Sequence, residues 1–248
     1  MTKRFLTLAL AAIAFLSACK KDPEKLNTTP VSEYMPLEVG KYIAYQLDSF
    51  KFKPFSLDTV IVSYQAKFIV DGQVTDNLGR PAYRIVRQIR SNPTDAWVND
   101  NSFTAVVSGE SFEFIENNMR FLKMVGPVKD GFNWKGNSYI NTTSQFSDFS
   151  YLNDWDYTYD STGLPLTLGS NTISNTVKVA QRDEEVGVSP GIDPSTLFYE
   201  RNYGVEYYAK GIGLVYRKFL HTRYQGNSGN PYYEPDSKGV TMTMIDHN

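Results

Sequence analysis

The chain has 248 residues, a formal net charge of -2, a single cysteine, 17 tyrosines and 15 phenylalanines. Near-neutral charge without a basic stripe excludes the electrostatic footprint of a nucleic-acid-binding protein. One cysteine excludes an intrachain disulfide and a cysteine-based zinc site, so stability must come from the core of one domain of ordinary size.

The chain begins with a basic tip, Lys3 and Arg4, followed by an apolar run from Phe5 to Leu16 and the small residues Ser17 and Ala18. That order is the pattern of a cleaved secretory signal. The run is too short to cross a bilayer, which takes about 20 residues. Leu16-Ser17-Ala18-Cys19 resembles the lipobox of bacterial lipoproteins. The resemblance implies that the Cys19 sulfur receives a diacylglycerol, that residues 1–18 are removed, and that the new amino terminus is acylated. Several acyl chains on one residue hold a protein stably to a membrane. Lys20, rather than an aspartate, after the cysteine resembles the outer-membrane sorting pattern of Gram-negative lipoproteins. Lys20-Lys21-Asp22-Pro23-Glu24 resembles in part a charged surface-export signal of Bacteroidota-type lipoproteins. A solvated tether over residues 19–33 is the competing reading of the same stretch.

From Tyr34 to the end, at 248, period-two alternation dominates and predicts one all-β domain. Val60, Val62, Tyr64, Ala66, Phe68 and Val70 share one face of a long predicted strand, with a turn expected at Asp71-Gly72. Tyr83, Ile85 and Ile89 alternate with Arg84, Gln88 and Arg90. Phe112–Ile115 and Met119–Val125 flank Glu116-Asn117-Asn118, a tight hairpin because asparagine tolerates positive φ. Residues 141–171 read as long loops around a strand near Asp154 to Tyr159. Ile173, Val177 and Val179 form a further alternating run, and Asp183-Glu184-Glu185 reads as a charged turn after it. One helical turn is expected around Ser195 to Arg201, a bend at Gly211 and Gly213, and a last strand through Val240, Met242 and Met244. Apart from the signal helix, no window carries a sustained helical stripe. The expected fold is therefore a single antiparallel, strongly twisted sheet, curled into a barrel, a half-barrel or a sandwich with long loops.

Three segments, Tyr34–Tyr45, Gly126–Asn137 and Glu206–Tyr216, carry glycines at turns and aromatics at core positions. Their order resembles an all-β group of Bacteroidota-type lipoproteins. The resemblance implies a fold and an outer-membrane location, facing the periplasm or the cell surface, and carries no established activity to transfer. Trp97, Trp134 and Trp155 read as core anchors.

Chemistry is sparse along the chain. His221 and His247 are the only imidazoles, and neither a G-x-S-x-G elbow nor an H-E-x-x-H helix is present. Asp154, Asp156 and Asp160 would share a strand face beside Trp155, Tyr157 and Tyr159. Converging carboxylates suit calcium or a weak ligand site, and an acidic solvated strand is the plainer reading. No metal site and no cofactor are expected. The function expected is a lipid-anchored, non-enzymatic binding or accessory module for an envelope protein or a glycan. Its alternatives are a carbohydrate-active hydrolase with paired carboxylates in an aromatic cleft, or a carrier of an apolar ligand in an unfilled cavity. Cys19→Ser is expected to abolish acylation and release the protein from membranes on fractionation. An intact mass showing an unmodified mature Cys19 would refute the anchor.

Overall fold

The structure is a computed structural model that describes residues 28–53, 56–143, 149–226 and 230–248. The lipobox residues Leu16, Ser17, Ala18 and Cys19, the signal helix and the charged run after Cys19 lie outside the described residues.

Among the described residues one short α-helix, α1 (Val31–Tyr34), precedes thirteen strands, with a single 3-10 turn (Ser150–Leu152) before the eighth: β1 (Tyr42–Phe52), β2 (Thr59–Thr75), β3 (Pro81–Arg90), β4 (Val98–Val107), β5 (Ser111–Glu116), β6 (Met119–Val125), β7 (Asn133–Lys135), β8 (Asp156–Leu168), β9 (Asn171–Gly187), β10 (Phe198–Ala209), β11 (Gly213–Gln225), β12 (Tyr232–Tyr233) and β13 (Lys238–His247). All are antiparallel members of one sheet, in the order β6-β5-β4-β3-β2-β1-β13-β11-β10-β9-β8-β7, with β12 paired only to β11. Two meanders, β1 to β6 and β7 to β11, are joined by β13. It pairs with β1 on one side, Tyr45 opposite Met244, and with β11 on the other, Tyr216 opposite Thr243. The sheet curls until its edges nearly meet, so of the three shapes the sequence allowed the chain takes the nearly closed barrel.

The seam between β6 and β7 shows how closure is achieved with one edge only three residues long. The Leu122 amide donates to the Gly136 carbonyl at 2.8 Å, and the Trp134 indole donates back to the Leu122 carbonyl at 2.8 Å. One rung further, Tyr159 satisfies both backbone groups of Val125: its hydroxyl donates to the carbonyl at 2.9 Å and accepts from the amide at 3.1 Å. Aromatic side chains thus replace the ladder bonds that the short strand cannot make, which matters because an open edge leaves backbone groups unpaired. Gly136 has no room for a side chain, since a Cβ there would sit 2.3 Å from the buried Tyr157 ring.

Several elements follow the sequence closely. Asn117 and Asn118 have φ of 51° and 62° and form the two-residue hairpin between β5 and β6. Gly211 and Gly213, at φ of 79° and 118°, turn β10 into β11. Other expectations are corrected. Asp71-Gly72 is not a turn: β2 runs through it, with a bulge between Val70 and Gly72. The strand near Asp154 starts at Asp156 and continues to Leu168, and Asp183-Glu184-Glu185 lies inside β9 rather than after it. No helical turn forms from Ser195 to Arg201, because β10 already begins at Phe198. Val60 and Val62 are exposed rather than inward. Pairing with β3 stops at Gln65 opposite Arg90, so only β1 accompanies the first part of β2. Trp134 and Trp155 are buried, but Trp97 lies half-exposed between Lys67 and Arg90, whose cations sit 4.6 and 4.3 Å from its ring.

At one end α1 docks on the barrel. Val31 is wholly buried and its amide donates to Gly109, while the Glu33 carbonyl accepts from Gly211 in the β10–β11 turn. Gly136→Ala is expected to destabilise the barrel by about 1–3 kcal/mol, because the methyl must displace a packed ring. Denaturant unfolding checks this, and an unchanged midpoint would remove Gly136 from the seam.

Candidate functional site

Alternation along β10 directs Asn202, Gly204, Glu206 and Tyr208 inward, and opposite them β11 directs Val215, Arg217, Phe219 and His221. Glu206, Tyr208, Arg217 and Phe219, with Tyr45, Phe68, Phe112 and Tyr157 from other walls, surround a cavity of about 490 Å³ inside the barrel. Its lining is mainly aromatic and aliphatic. Met35, Pro36 and Leu37, just after α1, contribute to one end.

The polar centre of this cavity is Glu206. Lys123 reaches across from β6 and places its ammonium 2.7 Å from Glu206 Oε1, both side chains being almost wholly buried. Tyr208 donates to Glu206 Oε2 at 2.8 Å, and Arg217 Nε lies 3.5 Å from Oε1. Burial alone would raise the Glu206 carboxyl, but Lys123 and Arg217 outweigh it and hold the group below its ordinary range. Burial also pulls the Lys123 ammonium down against the attraction of Glu206, and pushes the Tyr208 hydroxyl well up. Arg217 makes a second, looser approach to Glu116 at 4.0 Å.

Three buried donors around this centre have no hydrogen-bond partner among the described residues: Trp155 Nε1, Gln181 Nε2 and Arg217 Nε. All three residues line the cavity. Gly204 brings two of them together, since a Cβ there would lie 2.8 Å from the Trp155 ring and 2.9 Å from Gln181 Oε1. Most buried polar atoms in folded proteins are satisfied, so these three donors are open to an acceptor inside the cavity.

His221 was not legible as an oriented group in the sequence, yet it is wholly buried. Tyr151 stacks on it at 4.0 Å, Nδ1 is 2.7 Å from Asn202 Oδ1, and Nε2 is 3.4 Å from Asp236. Burial lowers its pKa, with Asp236 opposing. The Asn202 amide nitrogen bonds to Glu184 and Glu200, which leaves its oxygen to accept from His221 Nδ1. A separate cluster, Asp76, Arg80, Glu113 and Arg120, is knit by mutual ion pairs away from the cavity.

The three aspartates singled out from the sequence are exposed and do not gather. Asp154 precedes β8 in a left-handed conformation, φ 59°, and shares a shallow outer groove with Asp156 and Arg182. Asp160 is paired with Lys178 instead, at 2.5 Å. Among the described residues no group of three His, Cys, Asp or Glu side chains is placed to hold a metal ion.

No family model matches this chain, and no curated protein does. One solved structure resembles it: a protein from Parabacteroides distasonis ATCC 8503, assigned as a lipoprotein without a stated activity. It is 15% identical, with a TM-score of 0.37, over 90% of this chain and 100% of that one.

Removing Glu206 would leave Lys123 buried without its carboxylate and take from Arg217 the nearer of its two. Glu206→Leu is expected to cost about 3–5 kcal/mol in denaturant unfolding. The Lys123→Met, Glu206→Leu double variant should recover part of that loss. A double variant no more stable than Glu206→Leu would show that the cross-barrel pair does not act as a unit.

Proposed function

We propose that this protein is a non-enzymatic binding protein of the cell envelope, held by lipid on Cys19, whose barrel encloses a small apolar ligand. The observation that carries the reading is the interior cavity of about 490 Å³, lined mainly by apolar and aromatic side chains. Pre-formed ligand pockets fall in the range of about 300–1,000 Å³ and have this character, a greasy wall with a few placed polar groups. A sheet that curls almost to closure yet stops short of filling its interior supports binding better than a purely structural role.

The hydrolase reading retains one specific support: Glu116 and Glu206 both line the cavity and both approach Arg217. A glycoside hydrolase needs one carboxyl protonated to serve as general acid. Glu206 is held in the opposite state by its two cations. Loss of measurable glycan cleavage in Glu206→Gln would restore this reading.

The binding reading is tested with N-phenyl-1-naphthylamine, a neutral fluorescent probe, on the full chain carrying Cys19→Ser so that no attached lipid competes. Saturable binding is expected. Leu214→Trp, which fills the cavity, should weaken it by about tenfold or more without lowering the melting temperature. Unchanged binding in that variant would place the probe elsewhere and defeat the reading.

A further inference from the structure

The cavity is also charged in a way that apolar binding alone does not require. The chain as a whole is slightly acidic, with a formal charge of -2. Yet the described cavity walls carry Lys41, Lys123 and Arg217 against Glu116 and Glu206, besides Arg87, which is paired with Asp100, and Lys238, which lies over the Tyr151 ring. Low-dielectric walls bearing one sign of charge concentrate ions of the other sign. The imbalance is sharpest in the interior, where Lys123 and Arg217 share the single buried carboxylate of Glu206. Lys123 has the better share, at 2.7 Å, and Tyr208 takes the other oxygen.

Arg217 is left under-used. Its Nε is out of contact with solvent and makes no hydrogen bond among the described residues, although Glu206 lies 3.5 Å away. Its Nη1 is 4.0 Å from Glu116, a carboxylate on the hairpin end of β5 that is itself partly exposed and able to turn to water. A guanidinium is a rigid fork suited to two parallel bonds with a carboxylate or phosphate, and among the described residues Arg217 makes no such pair. Beside it stand the unpartnered donors of Trp155 and Gln181. Every one of these orphan groups donates, and a neutral hydrocarbon offers no acceptor to any of them.

Building on the binding reading above, we propose that the ligand is an anionic amphiphile, with its apolar chain in the aromatic part of the cavity and its anionic head at Arg217 and Lys123. The head completes the Arg217 fork and balances the second cation, and Glu116 is released to solvent. The class is defined by shared chemistry, one acidic head on an apolar chain, and includes both carboxylate and phosphate heads.

The test compares decanoate with decanol, which share a chain and differ in the head, on the full chain carrying Cys19→Ser. Affinities are read by displacement of N-phenyl-1-naphthylamine and by the rise in melting temperature. Decanoate should bind about tenfold or more tightly than decanol, and Arg217→Met should collapse that ratio toward one. Arg217→Lys, which keeps the charge but not the fork, should retain part of it. Should Arg217→Met fail to fold, Lys123→Met and the loss of the ratio in high salt provide the same reading. Equal affinity for decanoate and decanol would overturn the anionic head while leaving apolar binding intact. Failure of all three compounds to bind would defeat the binding reading and this inference with it. Stabilisation by decanoate with no uptake of the neutral probe would support the charged site directly. Decyl phosphate, run alongside, distinguishes a phosphate-preferring from a carboxylate-preferring head.

Discussion

A carboxylate taken out of water is tolerable only where cations and donors surround it, and Glu206 makes that demand at the centre of this barrel. Its partners come from separate parts of the sheet: Lys123 from β6, Arg217 from β11 and Tyr208 from its own strand. Strands β7, β8 and β9 stand between β6 and β10 when the barrel is followed around its seam. Lys123 therefore meets Glu206 only once the two edges of the sheet have come round toward each other. Charge pairing and closure are one event, and the space beside the long polar side chains is what remains as the cavity.

The remaining architecture adjusts to that centre through ring size and backbone. Phe68, Phe103 and Phe114 follow one another on the β2 to β5 wall, the first pair stacked and the second tilted, with ring centroids 5.7 and 5.2 Å apart. Phe112 reaches Tyr208 on the facing wall at 6.2 Å. Where a large ring must lie close to backbone, a glycine stands opposite it: Gly136 beneath Tyr157 and Gly204 beneath Trp155. Bulges at Tyr207/Tyr208 and Gly204/Val205 bend β10 where it forms the cavity floor. Such bulges raise local curvature and re-aim side chains, which is the adjustment a nearly closed sheet needs.

Much of the fold could be read from the chain because strand alternation is a local signal. Ala66, Val70, Ile85, Val177, Val179 and Met242 all fall on the buried faces that period two assigns them. The Asn117-Asn118 hairpin and the Gly211–Gly213 turn are legible for the same reason, since both are set by φ preferences of adjacent residues. Val60 and Val62 mislead because alternation reports which residues share a face and not whether anything covers it. The site was far less visible. Lys123, Glu206 and Arg217 are separated by up to 94 positions in the numbering, and each looks like an ordinary strand residue alone. His221 likewise owes its setting to Tyr151, Asn202 and Asp236, which no spacing rule connects. The Asp154 to Asp160 run drew notice by being contiguous, but a left-handed residue at Asp154 and the Lys178 pairing of Asp160 scatter it.

β13 sits between β1 and β11, and Tyr42 bonds to Asp246 and Asn248 across more than 200 positions of chain. Until β13 docks, the two meanders share no continuous ladder and β1 presents an unsatisfied edge. Ladder pairings at that sequence separation pay a large loop-closure entropy before they return any contact, so they form late and slowly. The consequence is kinetic. During folding the half-built barrel exposes a long aromatic strand edge, the kind of surface on which chains pair wrongly with one another. For this protein the hazard of aggregation is therefore concentrated in the interval before a single distant strand arrives.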